Sequence, residues 1–201
     1  MGSVILVRHG ETVWNSLGKY QGQQDIPLSA VGINQGNRLA DFFQNWTINA
    51  VYSSDLQRAY DTAALIASRH NLTVHVDQRL REYAMGEWEG LTREQVMAKY
   101  RDIYNRRTND INVRPPGGES GAEVQTRVLQ WLHEIIETEL ETVVAVSHSG
   151  TIRALLAGLL EIDIRKAKFR LDNCGFSIVE WGKTAGAVSF QIRTINSRLD
   201  W

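Results

Sequence analysis

Two histidines are distinguished by what precedes them. His9 follows the aliphatic run Val4-Ile5-Leu6-Val7 and Arg8, and His148 follows Val143-Val144-Ala145-Val146 and Ser147. A glycine comes directly after His9 and two residues after His148. A short unbroken aliphatic run rich in β-branched residues reads as a buried strand. Open α/β sheets bind their ligands at the carboxyl ends of such strands, so both imidazoles are delivered where these folds keep their chemistry. The strand ending near Ser53 is followed by Arg58 in the first turn of a helix, and Glu82 lies in the loop after the strand Thr73 to Val76. If the sheet gathers these ends, the constellation is Arg8, His9, Arg58, Glu82 and His148.

That set suits phosphoryl transfer to a side chain. A neutral imidazole is an effective nucleophile at phosphorus and divides one difficult step into two. Two guanidiniums can hold equatorial phosphate oxygens bidentately, which lysine does less well. Charge stabilisation at those oxygens dominates such catalysis, one arginine contributing about 10³–10⁵ in rate. A carboxyl protonates the leaving alkoxide and then serves as base for water. Helix N-termini near Asn15 or Ser149 would add backbone donors to the anion. Other chemistries fit less well: there is no Gly-Lys-Ser/Thr phosphate loop, no metal-ligand spacing and no Gly-x-Ser-x-Gly elbow. His70 and His133 in helical runs and His75 in a short strand read as ordinary surface or packing residues.

The elements that must position these groups alternate between strand and helix. Residues 15 to 28 are polar and glycine-punctuated, hence a loop. Ser29 is expected to cap a helix reaching about Trp46, and Ile48 to Ser53 forms the second strand. Ser54 and Gln57 have capping-box spacing for a helix to about Arg69. After the strand at 73 to 76, residues 77 to 91 read as irregular. Thr92 and Gln95 open a helix to roughly Tyr104, and residues 105 to 121 read as loop. Ser120 and Glu123 form a third capping box, before a helix through Leu140. Val143 to Val146 is a central strand, followed by a helix to about Leu160. Two β-rich runs, Phe176 to Trp181 and Val188 to Ile195, close the chain around a turn-like segment at 182 to 186. The pattern predicts an α/β three-layer sandwich with a mainly parallel sheet, helices on both faces and antiparallel edge strands near the C-terminus.

Composition narrows the classes. A chain of 201 residues with formal charge −1 is expected to form one domain and to have no nucleic-acid partner, which would call for a strong basic excess. No run approaches the roughly 18–20 apolar residues of a membrane span, so no membrane partner is expected. Met1-Gly2-Ser3 does not read as a signal peptide, and Leu6 stands where a myristoylation motif needs Ser or Thr. The single cysteine, Cys174, suits a reducing, cytoplasmic compartment. A homodimer is left open.

The motifs extend beyond the constellation. Arg8-His9-Gly10-Glu11-Thr12 with Trp14-Asn15 resembles the signature of the histidine phosphatase superfamily, the phosphoglycerate-mutase-like group. The likeness continues through Gln21-Gly22, Asp25, Pro27-Leu28 and Gly32, then Ser53-Ser54-Asp55-Leu56-Gln57-Arg58-Ala59 with Thr62-Ala63. It resumes at Leu80, Glu82, Gly86 and Trp88-Glu89-Gly90, then at Pro116 to Ser120, and closes at Ser147 to Arg153. The resemblance implies that His9 is the phosphorylated nucleophile and Glu82 the general acid, with Arg8, Arg58 and His148 on the transferring phosphate. It places Asn15, Gln21, Gly22 and the amide of Ser149 as further phosphate contacts. It implies no metal and no cofactor, and a small lid at residues 83 to about 120.

Within that superfamily the acid loop, Glu82-Tyr83-Ala84-Met85-Gly86, lacks the arginine and tyrosine of the cofactor-dependent mutases. Trp88-Glu89-Gly90 and the Pro-Pro-Gly-Gly-Glu-Ser run resemble the phosphatase branch, which includes broad-specificity and α-ribazole phosphatases. The expected activity is hydrolysis of a small phosphorylated metabolite. Two alternatives remain: a 2,3-bisphosphoglycerate-dependent phosphoglycerate mutase, favoured by Arg93 and the Arg106-Arg107 pair, and a non-catalytic phosphate- or phosphopeptide-binding module. Tyr83, Met85, Trp88 and residues 100 to 107 form the expected selectivity surface, with lid packing the competing role for Met85 and Trp88. Arg106 and Arg107 read either as solvated charges or as ligands for a second anion.

Overall fold

The computed structural model describes residues 1–184 and 187–199. Strands β1 (Gly2–Arg8), β2 (Ala50–Ser53), β3 (Val74–Val76), β4 (Thr142–Ser147), β5 (Phe176–Thr184) and β6 (Ala187–Ser197) form one sheet in the order β3-β2-β4-β1-β5-β6. The first four are parallel, β5 is antiparallel to β1, and β6 is antiparallel to β5. The segment expected to turn between the last two strands includes residues 185 and 186, outside the described residues.

The unbroken aliphatic runs have a direct cause. Successive side chains of a strand point to opposite faces, so a strand covered on both sides must be apolar throughout. Val4 and Leu6 of β1, with Val143 and Ala145 of β4, pack under α5 (Gly121–Ile136) and α6 (Ser149–Leu159). Ile5 and Val7, with Val144 and Val146, pack under α2 (Ala30–Phe43) and α3 (Gln57–Ser68). Helix α5 presents Val124, Val128, Trp131, Leu132 and Ile135 to the core, the spacing of a single helical face. The three-layer expectation is met.

Register levels the carboxyl ends. Arg8 pairs with Ser147, so His9 and His148 leave β1 and β4 level with each other; Ser53 pairs with Val146, so Ser54 follows one step lower, from where its Oγ reaches His148 Nε2. Above them lie the four-residue α1 (Val13–Ser16), a 3₁₀ turn at Gly86–Trp88 and α4 (Arg93–Asn109).

Several boundaries differ from expectation. Helix α2 ends at Phe43, α3 at Ser68 and α5 at Ile136, each short of its expected end, and His70 therefore lies in a turn just past α3. Helix α4 runs five residues past Tyr104, into the segment expected to be loop, with a non-helical break at Tyr100 (φ −130°, ψ 31°). The capping boxes at Thr92 and Ser120 form, but the one at Ser54 does not. Leu56 is the N-cap of α3 and makes no side-chain cap. Asp25, from the 15–28 loop, accepts from the Gln57 amide at 2.7 Å, while Ser54 Oγ bonds His148 Nε2 at 2.8 Å. The hydroxyl is spent on the site and a distant carboxylate replaces it at the helix.

Candidate active site

A half-enclosed cavity of about 360 Å³ opens over the strand ends. His9 lies at its floor, only 3% exposed. Its Nδ1 lies 2.7 Å from the Gly10 carbonyl. A carbonyl only accepts, so Nδ1 carries the proton and the neutral ring keeps its lone pair at Nε2. Burial pushes the His9 pKa well below its usual value, and the neighbouring Arg58 and Arg8 push it further. His148 is fully buried, its ring centroid 5.0 Å from that of His9, and its Nδ1 has no partner among the described residues. Desolvation and then Arg58 depress its pKa likewise. His148 does not line the cavity wall; it sits behind His9.

The two arginines are braced by main chain instead of carboxylates. Arg8 Nη1 donates to the Leu171 carbonyl at 2.7 Å, and Arg58 Nη1 and Nη2 donate to the Gln24 and Gly22 carbonyls, each at 2.8 Å. The Nε of each is buried with no hydrogen-bond partner among the described residues. Burial lowers the Arg58 pKa to about 10, which leaves it charged at neutral pH. Gly22 adopts φ +53°, and a Cβ there would stand 2.0 Å from Glu89 Oε1. Its part is therefore to turn the backbone so that its carbonyl meets Arg58.

Asn15 and Gln21 present donors. Thr12 Oγ lies 3.1 Å from Asn15 Oδ1 and 3.0 Å from Gln21 Oε1, so their carbonyl oxygens face Thr12. Their amide nitrogens have no partner among the described residues, and both side chains line the cavity. Glu82 is held by backbone donors: Tyr83 N to Oε1 at 3.0 Å and Gly150 N to Oε2 at 3.1 Å. A Cβ at Gly150 would stand 2.3 Å from Glu82 Oε1, so only glycine leaves room for that carboxyl. Arg127 clamps the acid loop, donating to the Arg79 and Glu82 carbonyls at 2.6 and 3.1 Å while pairing with Glu119.

All the residues assigned to the site except His148 line the cavity, Ser149, Tyr83 and Met85 included. The expected selectivity surface divides. Trp88 is fully buried against Tyr20, Tyr100 and Tyr104, so its part is packing. Tyr100 donates to Glu87, and Arg93 stacks on Tyr104. Arg107 reaches the cavity, 5.2 Å from the Tyr83 ring, whereas Arg106 is exposed and takes no part in the lining.

Sequence reading missed Ser54, spent on His148; Asn173, which donates to the His9 carbonyl at 3.0 Å; and the cavity residues Lys19, Tyr20, Ile111, Arg153, Ile164 and Arg165. Arg153 had a legible signal, since it follows Ser149 by four residues on a helix and shares its face. Asn173 lies far along the chain in a segment without pattern and had none.

The residues 4–193 match the model of the histidine phosphatase superfamily, branch 1. The chain belongs to that superfamily. It is 39% identical over 182 residues to phosphoserine phosphatase 1 of Hydrogenobacter thermophilus (strain DSM 6534 / IAM 12695 / TK-6), covering 89% of this chain and 86% of that protein. It is 35% identical over 184 residues to the probable phosphoglycerate mutase GpmB of Yersinia pestis (strain Pestoides F), covering 90% and 86% respectively. The solved structure of a mycobacterial glucosyl-3-phosphoglycerate phosphatase with VO3 superposes with a TM-score of 0.89 at 31% identity, covering 98% of this chain and 100% of that one. Among the described residues no helix is long and apolar enough to cross a membrane.

The buried imidazoles carry a consequence for pH. An unfolded histidine takes a proton near pH 6.5, whereas His9 and His148 resist it when folded. The unfolded chain therefore binds more protons below that pH, and stability, complete above it, falls as the pH drops. Thermal melts from pH 7.5 downward should show Tm falling below about pH 6.5, and a flat Tm to pH 5 would contradict the assignment.

Proposed function

We propose that the protein hydrolyses a small phosphomonoester through a covalent phosphohistidine at His9, without a metal or cofactor. One observation carries the reading: the free Nε2 of a neutral, buried His9 shares the cavity floor with two arginines that form no ion pair among the described residues, and with a carboxyl aimed by two backbone amides. In the first half, Nε2 attacks phosphorus, the P–O ester bond breaks, and Glu82 gives its proton to the leaving oxygen. In the second, Glu82 takes a proton from water, the water oxygen bonds to phosphorus, and the N–P bond breaks to release phosphate. Arg8, Arg58, Asn15, Gln21 and the N-terminus of α6 at Ser149 hold the equatorial oxygens. His148 supports His9 from behind and completes that cradle. Residues 83 to 120 serve as the lid, and Arg107 offers a charge to a second anion. We place the enzyme in the cytoplasm, acting on a free metabolite with neither nucleic acid nor membrane as partner.

Glu82→Gln tests the division of labour. Loss of a general acid costs about 10²–10⁴ in rate, and the loss should fall on alkyl phosphates. With p-nitrophenyl phosphate, whose phenolate leaves without protonation, the first half should survive nearly intact, visible as a burst of p-nitrophenol. EDTA should leave the wild-type rate unchanged. Equal loss of the burst and of alkyl phosphate turnover would exclude Glu82 as the acid, and inhibition by EDTA would exclude the metal-free route.

A further inference from the structure

Glu82 sits in a segment that neither a strand ladder nor a helix holds. Residues 81–85 are irregular, so the main-chain carbonyls around the acid must find partners elsewhere. They find side chains from distant segments. Arg127 Nη1 of α5 donates to the Arg79 carbonyl at 2.6 Å. Ser147 Oγ donates to the Leu80 carbonyl at 2.7 Å and Thr151 Oγ1 to the Arg81 carbonyl at 2.6 Å. The Glu82 carbonyl takes two donors, Arg127 Nη2 and Gln23 Nε2, each at 3.1 Å.

Gln23 links this loop to the phosphate end of the site. Its Oε1 accepts from Arg81 Nη1 at 3.3 Å, and an arginine only donates, so Nε2 is the atom turned toward Glu82. Its chain neighbours face the other way, because the Gly22 and Gln24 carbonyls accept from Arg58. The middle residue of the turn thus meets the acid loop while the two beside it meet the arginine on the cavity floor. Glu119 closes the arrangement. It pairs with Arg127 Nε at 3.0 Å and accepts from Gln23 Nε2 at 3.3 Å and from the Ala84 amide at 2.8 Å. Its own amide donates to the Ala84 carbonyl at 2.8 Å.

The Glu82 carboxyl is already met by the Tyr83 and Gly150 amides. With the carbonyl of the same residue fixed as well, the acid is anchored at both ends. A general acid must lie within hydrogen-bond reach of its proton's destination, and a misplacement of about 1 Å costs about 10² in rate.

We propose that Arg127 and Gln23, joined through Glu119, are positioning residues for the general acid: by holding the Glu82 main chain they set its carboxyl against the phosphate bound by Arg58. The inference rests on the phosphatase reading above, in which Glu82 protonates the leaving oxygen.

The test uses two esters that differ in how much the leaving oxygen needs that proton. Phenyl phosphate releases a basic phenolate and needs the acid; p-nitrophenyl phosphate does not. First-turnover release is measured for the wild type, Arg127→Met, Gln23→Met and Glu82→Gln, and for each of the first two combined with Glu82→Gln. Arg127→Met should slow phenyl phosphate at least about tenfold more than p-nitrophenyl phosphate, and Gln23→Met should do so in the same direction to a smaller extent. In the Glu82→Gln background neither should cost more than about threefold, since nothing is left to position. Melts at neutral pH establish which variants are folded at the assay temperature. If Arg127→Met is not, Gln23→Met, which removes an uncharged donor, decides alone. Equal slowing of the two esters, or a full further loss in the Glu82→Gln background, marks a merely structural role and overturns the proposal, while selective loss in Glu82→Gln leaves the phosphatase reading standing. Equal loss of both esters in Glu82→Gln itself removes the acid assignment and the proposal with it.

Discussion

Replacing His9 with alanine should lower kcat by about 10⁵-fold or more, the scale seen when a covalent nucleophile is removed, and should abolish a phosphoenzyme that the wild type forms. The reason is that nothing else on the cavity floor can take over. The His148 ring is fully buried behind His9, and its Nε2 is engaged by Ser54. Cys174 is buried with its thiol pushed up to about 12, so it supplies almost no thiolate at neutral pH. Ser149 lines the cavity, and among the described residues no base is hydrogen-bonded to its hydroxyl. The measurement is rapid mixing with labelled phosphomonoester and denaturation without acid, then a stability profile of the trapped label. Label on the wild type should be lost in acid and persist in base, and His9→Ala should trap none. Retained turnover, or equal trapping, would remove His9 from the mechanism. Because among the described residues the His9 side chain makes a single hydrogen bond, to the Gly10 carbonyl, the variant should keep its fold, which a melt at neutral pH would establish.

Arg58→Lys is expected to be nearly as damaging although it preserves charge. The Arg58 guanidinium is fully buried and does two things at once. It closes the 22–24 turn through the Gly22 and Gln24 carbonyls, and it puts a cation on the cavity floor. A lysine ammonium is a point donor on a flexible stem and cannot do both. Loss of a transition-state arginine costs about 10³–10⁵ in rate, and kcat/KM should fall by about 10³. Stability should fall too, since a buried carbonyl left without its donor costs about 1–3 kcal/mol. Arg58→Met adds a separate signature. Arg58 is the chief charge depressing the His9 pKa; without it that pKa rises, protonation inactivates the nucleophile at higher pH, and the acid limb of kcat/KM moves upward. A lysine variant within tenfold of wild type, or an acid limb unmoved in the methionine variant, would contradict this account.

How much of this was legible in the chain differs from group to group. The unbroken runs at Val4–Val7 and Val143–Val146 announced strands buried on both faces, because only a doubly covered strand is apolar at every position. Two of three capping boxes formed, at Thr92 and Ser120, since both ends of those boxes are local. The third failed because Ser54 was spent on His148, 94 residues away, and Asp25 capped the helix instead. The extension of α4 past Tyr104 escaped notice because its residues are polar on most faces and it buries only Val96. It is held by stacking of Trp88, Tyr100, Tyr104 and Arg107, pairings between segments that local spacing does not report.

By itself, then, the sequence determined the family and the candidate groups: an imidazole at the end of each central strand, an arginine in a helix's first turn, an acid in a loop, and the motifs joining them. These are read locally, because strand ends and helix starts are set by neighbours along the chain. The tertiary structure alone decided which groups meet and in what state. Register placed His9 beside His148 and brought Ser54 within reach of it, and burial among arginines keeps His9 neutral. Folding also set His148 behind His9 instead of on the wall, separated Arg107 from Arg106, and left Arg153 lining the cavity with no ion pair among the described residues. Each of those outcomes depends on contacts between distant segments and on exclusion of water, quantities that exist only once the chain has closed on itself.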